Sequence, residues 1–442
     1  MGVFGALKRL WQHEPFRRLL ILRTLSQAAD GTLQVGMASY ILFSPQSQPN
    51  AWAIAGVLAL TLLPFTVIGP FVSPLLDRWP RRNIALYSDV LRAALAVVIG
   101  LVVFSGGTSG VWAVVLFGAL LVALSVNRFM LAGLSAALEH TVDGDEYLTA
   151  SSILPTVGPL GVVIGAGLGF GTRLAFGGVL EAHQADAIVF GLAALLFVGS
   201  VLTAKGFAPH ALGPDGAAPA SSFRGIVAGL AEAAAHLRTR QPAVLGLVLM
   251  AATRLLFGLI TVVVILAARN LWHAVDQPVA AMGDITLWGL ATGAGFILSA
   301  PVVPAMVRPL GLRRTAIALL ALGAVASVAM ALSPTKPVIF VASFFIGISV
   351  QAFKICVDTL VQAHVDEEFK GRAFTFYDMA FNSALVLAGV VAALTLPPTG
   401  LSVLGFVAMA ALYAACAVAM AVVSARIGRD TLEKGTEDLV AR

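Results

Sequence analysis

The sequence predicts an all-α polytopic membrane protein, twelve transmembrane helices in two pseudo-symmetric six-helix halves, and three observations carry that prediction. Hydrophobic residues fill 59% of the 442 positions and Asp, Glu, Lys and Arg only 12%, where soluble chains hold roughly 45–50% and about 25%. At a mean hydropathy of +0.92 there is too little charge to face water, so lipid must replace it. The apolar residues fall in runs of about 20 or more, the length that crosses a bilayer as helix. They do not form the alternating segments of about ten that build membrane barrels. Lys and Arg are also segregated between alternate loops, a bias that orients multi-span proteins.

Taken in order, the runs lie near 16–43, 51–75, 84–104, 111–137, 150–172, 184–204, 242–268, 284–307, 313–333, 337–357, 373–396 and 401–424. The first follows the basic cluster Lys8 to Arg18 and is itself of spanning length, so it reads as a helix rather than a cleavable signal. Loops on one side hold Arg78, Arg81 and Arg82, then Lys205, Arg224, Arg238 and Arg240, then Arg308, Arg313 and Arg314, then Lys370 and Arg372. The opposite loops offer only Arg173, Arg269 and Lys336. With Lys8 to Arg18 at one end and Arg426, Arg429 and Lys434 at the other, both termini are expected in the cytoplasm.

The longest polar break, 205–241, begins with Pro209, Gly213, Pro214, Gly216 and Pro219 and continues as small apolar residues alternating with Arg224, Glu232, His236, Arg238 and Arg240. The first part suits a linker and the second a helix lying at the cytoplasmic interface. The expected organisation is therefore a six-helix half over 1–204, this linker, a second half over 242–425 and a cytoplasmic tail over 426–442. Equivalent features recur at similar offsets: Asp30 and Arg254 at 224, Arg128 and Lys354 at 226, and the acidic clusters at 142–145 and 365–368 at 223. Such a duplicated unit places a substrate site between halves near the midplane.

Enzymatic chemistry is poorly represented. There is no phosphate-binding Gly-rich loop with Lys-Ser/Thr and no Gly-x-Ser-x-Gly elbow. The seven histidines lack metal-ligand spacing, and Cys356 and Cys416 sit singly in apolar runs. No cofactor or metal is expected. The net charge of +5 reads as topology-setting loops, not as a nucleic-acid surface.

Four stretches resemble the major facilitator superfamily, and the likeness covers nearly the whole chain. Ser73 through Arg82 resembles the family loop G-x-L-x-D-R-x-G-R-R between spans two and three; Asp77, Arg78, Arg81 and Arg82 match, while Ser73 and Pro80 replace glycines. A second-half copy keeps Gly311, Arg313 and Arg314 but has Arg308 where the aspartate belongs. Arg128 to Gly133 is similar to the family's R-F-x-x-G in span four, with one extra residue. Gly158, Pro159 and Gly161, followed by Gly165, look like the exporters' Gly-Pro motif in span five, and Val361 to Phe374 resembles the branch of drug–proton antiporters and the enterobactin exporter. The resemblance implies alternating access, with Asp77, Arg78, Arg81, Arg82, Glu139, Asp143, Gly371 and Arg372 forming a cytoplasmic gate. Asp77 would meet the N-terminus of span eleven and the arginines would meet Glu139, Asp143 or Asp145.

Several buried residues are candidates for the chemistry. Asp30 lies inside a long apolar span, where a central carboxylate costs about 2.5–3.5 kcal/mol on insertion scales. Held away from water, it can load and release a proton as its access changes; Ser26, Thr32 and Gln34 are nearby polar groups that would give it a structural role instead. Arg254 must face a cavity, pair with an acid or hold an anionic substrate, and spans one and seven flank the central cavity in the resembled family. Arg128 matches the family arginine that tunes a buried proton site. Lys354, a further cavity candidate, has Asp358 four residues on and can pair with it, as Arg92 can with Asp89. Gly158, Pro159, Gly161 and Gly165 predict a close helix approach.

The expected function is a proton-coupled secondary transporter exporting small amphipathic or hydrophobic compounds, monomeric, in a bacterial-type cytoplasmic membrane. Its partners would be the cargo, protons and the bilayer. A lipid, lysolipid or siderophore exporter on the same fold is the alternative, with Arg254 holding a phosphate or carboxylate; a non-transporting receptor is a third reading.

Overall fold

Long apolar runs can satisfy their backbone in lipid as helices, and the computed structural model is built of them. It describes residues 10–43, 51–67, 79–106, 111–142, 147–213, 223–274 and 277–434. The first-half helices are α1 (Glu14–Phe43), α2 (Ala51–Val67), α3 (Arg81–Phe104), α4 (Val111–Ala137), α5 (Tyr147–Phe176) and α6 (Ala182–Lys205). The interfacial helix expected in the linker is α7 (Phe223–Thr239). Then follow α8 (Gln241–Ala267), α9 (Pro278–Leu332), α10 (Lys336–His364), α11 (Glu367–Thr395), α12 (Val403–Ile427) and the short α13 (Arg429–Glu433). Among the described residues there is no strand.

Nine of the described helical stretches are long and apolar enough to cross a membrane. The first, α1, falls short of that criterion because Gln27, Asp30, Gln34 and several Ser, Thr and Gly residues dilute its apolar stretch. Exposed residues on the others are large and apolar: Leu404 is 79% exposed and Ile297 78%. Side chains of that kind standing open in rows are satisfied by lipid, not water.

Spans eight and nine were expected as separate runs, 284–307 and 313–333, and the structure keeps them apart: the stretch Pro278–Leu332 of α9 is broken at Gly311, where the backbone leaves the helix. Gly311 makes the turn between them, at φ 78° and ψ 164°, a backbone region open essentially to glycine. Gly311→Ala is therefore expected to cost about 1–3 kcal/mol in unfolding experiments. Gly293→Ala, in the same helix with nothing near its would-be side chain, is expected to be neutral or slightly stabilising; equal effects at both sites would refute the account.

The helices group into two units, one of residues 1–48 and 67–222, the other of 49–66 and 223–442. The division differs from the expected one in that α2 and α7 go with the second unit. The α2 side has a packing reason: Gly389 on α11 is so close to Ala55 that a side-chain carbon there would lie 2.8 Å from its Cα. In the first unit α1 packs on α5 and α6, and α3 on α6 and α4. In the second, α9 packs on α10 and α12, and α8 on α11 and α10. The second core is anchored by Leu256, Ile260, Phe353, Phe406 and Tyr413, the first by Phe16, Leu19, Leu22, Met130 and Leu134.

Among the described glycines, those of the α1–α5 seam make the closest backbone approaches. A Cβ on Gly165 would overlap the Ala28 carbonyl, and one on Gly31 would overlap the Val162 carbonyl. At Gly161 it would meet Gln27 and Thr24, and at Gly158 it would touch Arg23. The Thr32 hydroxyl donates to the Gly165 carbonyl at 2.8 Å across the seam. Pro159 lies on the exposed side of α5.

Candidate functional site

The first unit holds a buried ionic cluster assembled from three helices. Asp30 lies midway along α1, and Asp89 and Arg92 lie one turn apart on α3, spacing that puts their heads together. Arg92 is completely buried. Its Nη2 donates to Asp30 Oδ1 at 2.7 Å, and its Nη1 donates to Asp89 Oδ1 at 2.9 Å and to Ser26 Oγ at 3.0 Å. The guanidinium carbon stands 4.2 Å from the centre of the Phe197 ring on α6. Gln34 donates to the other Asp30 oxygen at 2.6 Å, and Ser26 donates to Asp89 at 3.1 Å. Asp89 also lies beside Ser200 of α6.

One guanidinium thus serves two carboxylates in a site closed to water. The Arg92–Asp89 bridge follows the three-residue spacing; the link to Asp30 does not, because it joins residues 62 apart. Next to the cluster, Gln27 donates to Asn127 at 3.0 Å, which ties α1 to α4 one residue before Arg128. Arg23 reaches Ser135 at 3.4 Å. Arg128 has interactions of its own on α4.

The second unit carries a different chemistry. Arg254 on α8 is half-buried and stands over two rings, Phe381 on α11 at 3.9 Å and Phe257 on α8 at 5.0 Å. Tyr377 stacks along α11 on Phe381 at 6.3 Å. Lys354 on α10 stands 5.1 Å from the Tyr377 ring and pairs with Asp358 at 3.0 Å, as the spacing of four predicts. The Tyr377 hydroxyl lies beside Asp358. Asp30 and Arg254, considered as a pair from their offset, each have separate company: Asp30 has Arg92 and Gln34, and Arg254 has aromatic faces.

The gate residues are only partly within the described structure. Asp77, Arg78 and Asp143 lie outside the described residues, and so does the side chain of Glu139, whose backbone forms the short turn Leu138–His140. Arg81 donates its backbone NH to Gly213 O at 3.0 Å, and its guanidinium reaches His140 at 3.2 Å. Arg82 reaches Asn83 at 3.3 Å. Gly371 is exposed with open space around it, and Arg372 meets Glu232 of α7 at 3.6 Å.

Two features were not foreseen. Arg240 binds Asp366 with both oxygens, at 2.8 and 2.7 Å, while His236 stacks on Phe369 at 4.4 Å, so α7 is strapped to the start of α11. Arg313 donates to Ser424 at 2.7 Å and to the Ala421 carbonyl at 2.9 Å, fixing the Gly311 turn to the end of α12. Nothing in the local spacing marks either contact. No group of three His, Cys, Asp or Glu able to hold a metal occurs among the described residues.

Residues 19–389 match the family model of the Major Facilitator Superfamily. An MFS-type transporter of Mycobacterium tuberculosis and its counterpart in Mycobacterium bovis are each 33% identical over 388 residues, covering 87% of this chain and 86% of theirs. Among solved structures, the nucleoside transporter NupG aligns with a TM-score of 0.67 at 13% identity, over 93% of this chain and 100% of that one. A POT family transporter in complex with 5-aminolevulinic acid aligns with a TM-score of 0.66 at 12% identity, over 94% and 96%. At such identities these structures share the fold alone, but the family model and the mycobacterial relatives reach further. The chain belongs to the Major Facilitator Superfamily and is a multi-pass membrane transporter of that family.

Proposed function

We propose that this transporter exports small amphipathic or hydrophobic compounds in exchange for protons, by rocking access, in a bacterial cytoplasmic membrane with both termini inside. The observation that carries the reading is the Asp30–Arg92–Asp89 cluster. With both acids ionised it holds one uncompensated negative charge in a site without water, which the bilayer interior penalises. One proton removes that charge. The two acids share one cation, so Asp30 and Asp89 act together in the reading. Arg23 and Arg128 are the further arginines on the helices around it, and Arg128 would bias proton release. Asp77, Arg78, Arg81, Arg82, Glu139, Asp143, Gly371 and Arg372 would form the cytoplasmic gate, and Arg254 and Lys354 would line the path of the cargo. The likeness of Val361 to Phe374 to the drug–proton antiporter branch supports the reading.

The test is proton movement in proteoliposomes carrying a pH-sensitive dye, challenged with amphipathic cations, lysolipids and ferric chelators. In the wild type one class is expected to trigger proton movement, and Asp30→Asn is expected to lower its rate at least tenfold. Cargo movement without protons in the correctly folded wild type would overturn the coupling. A second reading, a lipid, lysolipid or siderophore exporter, is favoured by Arg254, a span cation without an acid partner among the described residues.

A further inference from the structure

We infer that Arg254, framed by the rings of Phe257 and Phe381, is the seat of a single oxyanion, so that the cargo is an anionic amphipath with a carboxylate or phosphate head and an aromatic or alkyl body. The inference rests on the transporter reading above and adds the sign of the cargo's charge.

Other interior arginines with described side chains have polar partners: Arg92 has two aspartates, Arg173 has Asp186 at 2.6 Å, and Arg23 has Ser135. Arg254 makes no hydrogen bond or ion pair among the described residues, and its Nε is buried without an acceptor. A permanent cation inside a spanning helix is expensive unless something answers it, and two aromatic faces answer it only in part. The nearby acids do not. Asp358 is held by Lys354, and Asp378 is exposed and has contacts of its own.

The geometry selects the ligand's head. Rings stacked over a guanidinium occupy its faces and leave the fork of N–H donors at its edge, which matches two oxygens of a carboxylate or phosphate. Lys354, over Tyr377, is already answered by Asp358, so Arg254 is the cation left for the head. For the body, the Phe257 ring continues into Phe296 at 5.4 Å and Trp288 at 6.2 Å. This row of aromatic faces is suited to a flat or chain-like apolar group.

The experiment is equilibrium binding to the full chain in phosphatidylcholine nanodiscs, read by calorimetry and by Trp288 fluorescence with the other tryptophans replaced. Probes are naphthylacetate, its neutral amide, naphthylmethylammonium and lysophosphatidate. The anions are expected to bind at least tenfold more tightly than the amide, and the ammonium is expected to bind no better than the amide. Arg254→Gln is expected to erase the anion preference while leaving amide binding unchanged, and Arg254→Lys to keep part of it. Tighter lysophosphatidate than naphthylacetate points to a lipid source for the anion, the reverse to a soluble acid. Should Arg254→Gln fail to fold, the wild-type ratio of anion to amide decides alone. Equal binding of amide or ammonium, or an unchanged anion affinity in folded Arg254→Gln, would overturn the inference. No gradient is applied, so failure here leaves proton coupling standing, and failure of coupling leaves this result standing.

Discussion

Arg92→Met is expected to destabilise the protein by about 3–5 kcal/mol, the range for removing one partner of a buried charge group. The loss comes from what stays behind. Asp30 and Asp89 would face each other without their cation, and Phe197 would lose the group it packs against. Arg92→Lys is expected to recover part of the loss, because an ammonium keeps the charge but cannot present the flat fork that meets both acids and the ring. The decisive comparison is the triple variant Asp30→Asn, Asp89→Asn, Arg92→Met. Without charge to compensate, it is expected to regain most of the stability in thermal unfolding while moving no protons. If Arg92→Met unfolds with the wild type, or the triple variant is as weak as the single one, the cluster is not the charge-coupled unit described above.

Gly165→Val is expected to cost roughly 3 kcal/mol or more, above the usual 1–3 kcal/mol of overpacking. An added Cβ meets the Ala28 backbone rather than a side chain that can turn away. Separating α1 from α5 would also break the Thr32 bond to the Gly165 carbonyl. Gly167→Val, two residues along the same helix but facing open space, is expected to change stability little when measured beside it. Similar losses at both positions would mean that valine harms α5 as a helix and that the seam is not the cause.

The contrast between these sites shows what was legible in the sequence. Spanning runs and their order were readable because lipid imposes length and apolarity on each helix separately. Gly158, Gly161 and Gly165 gave a face by their spacing, but no spacing rule says that the face meets α1. Likewise Asp89 and Arg92 could be joined by local geometry, whereas Asp30 belongs with them only because α1 and α3 both meet α6. The sharp turn between spans eight and nine depends on the φ of Gly311, a torsion that a glycine permits without announcing it. The strap from Arg240 to Asp366 was illegible for the same reason as Asp30: its partners are 126 residues apart.

The same separation has a consequence for how the chain is made. Asp30 enters the bilayer with α1, but its cation lies 62 residues later in the chain. At a synthesis rate of about 5–20 residues per second, α1 waits roughly 3–12 s before α3 can emerge to neutralise it. During that interval an ionised carboxylate must be carried by the translocon, by water or by a borrowed proton. Membrane integration of the first helix is thus provisional until the third arrives, and conditions that slow translation between them will select against complete molecules.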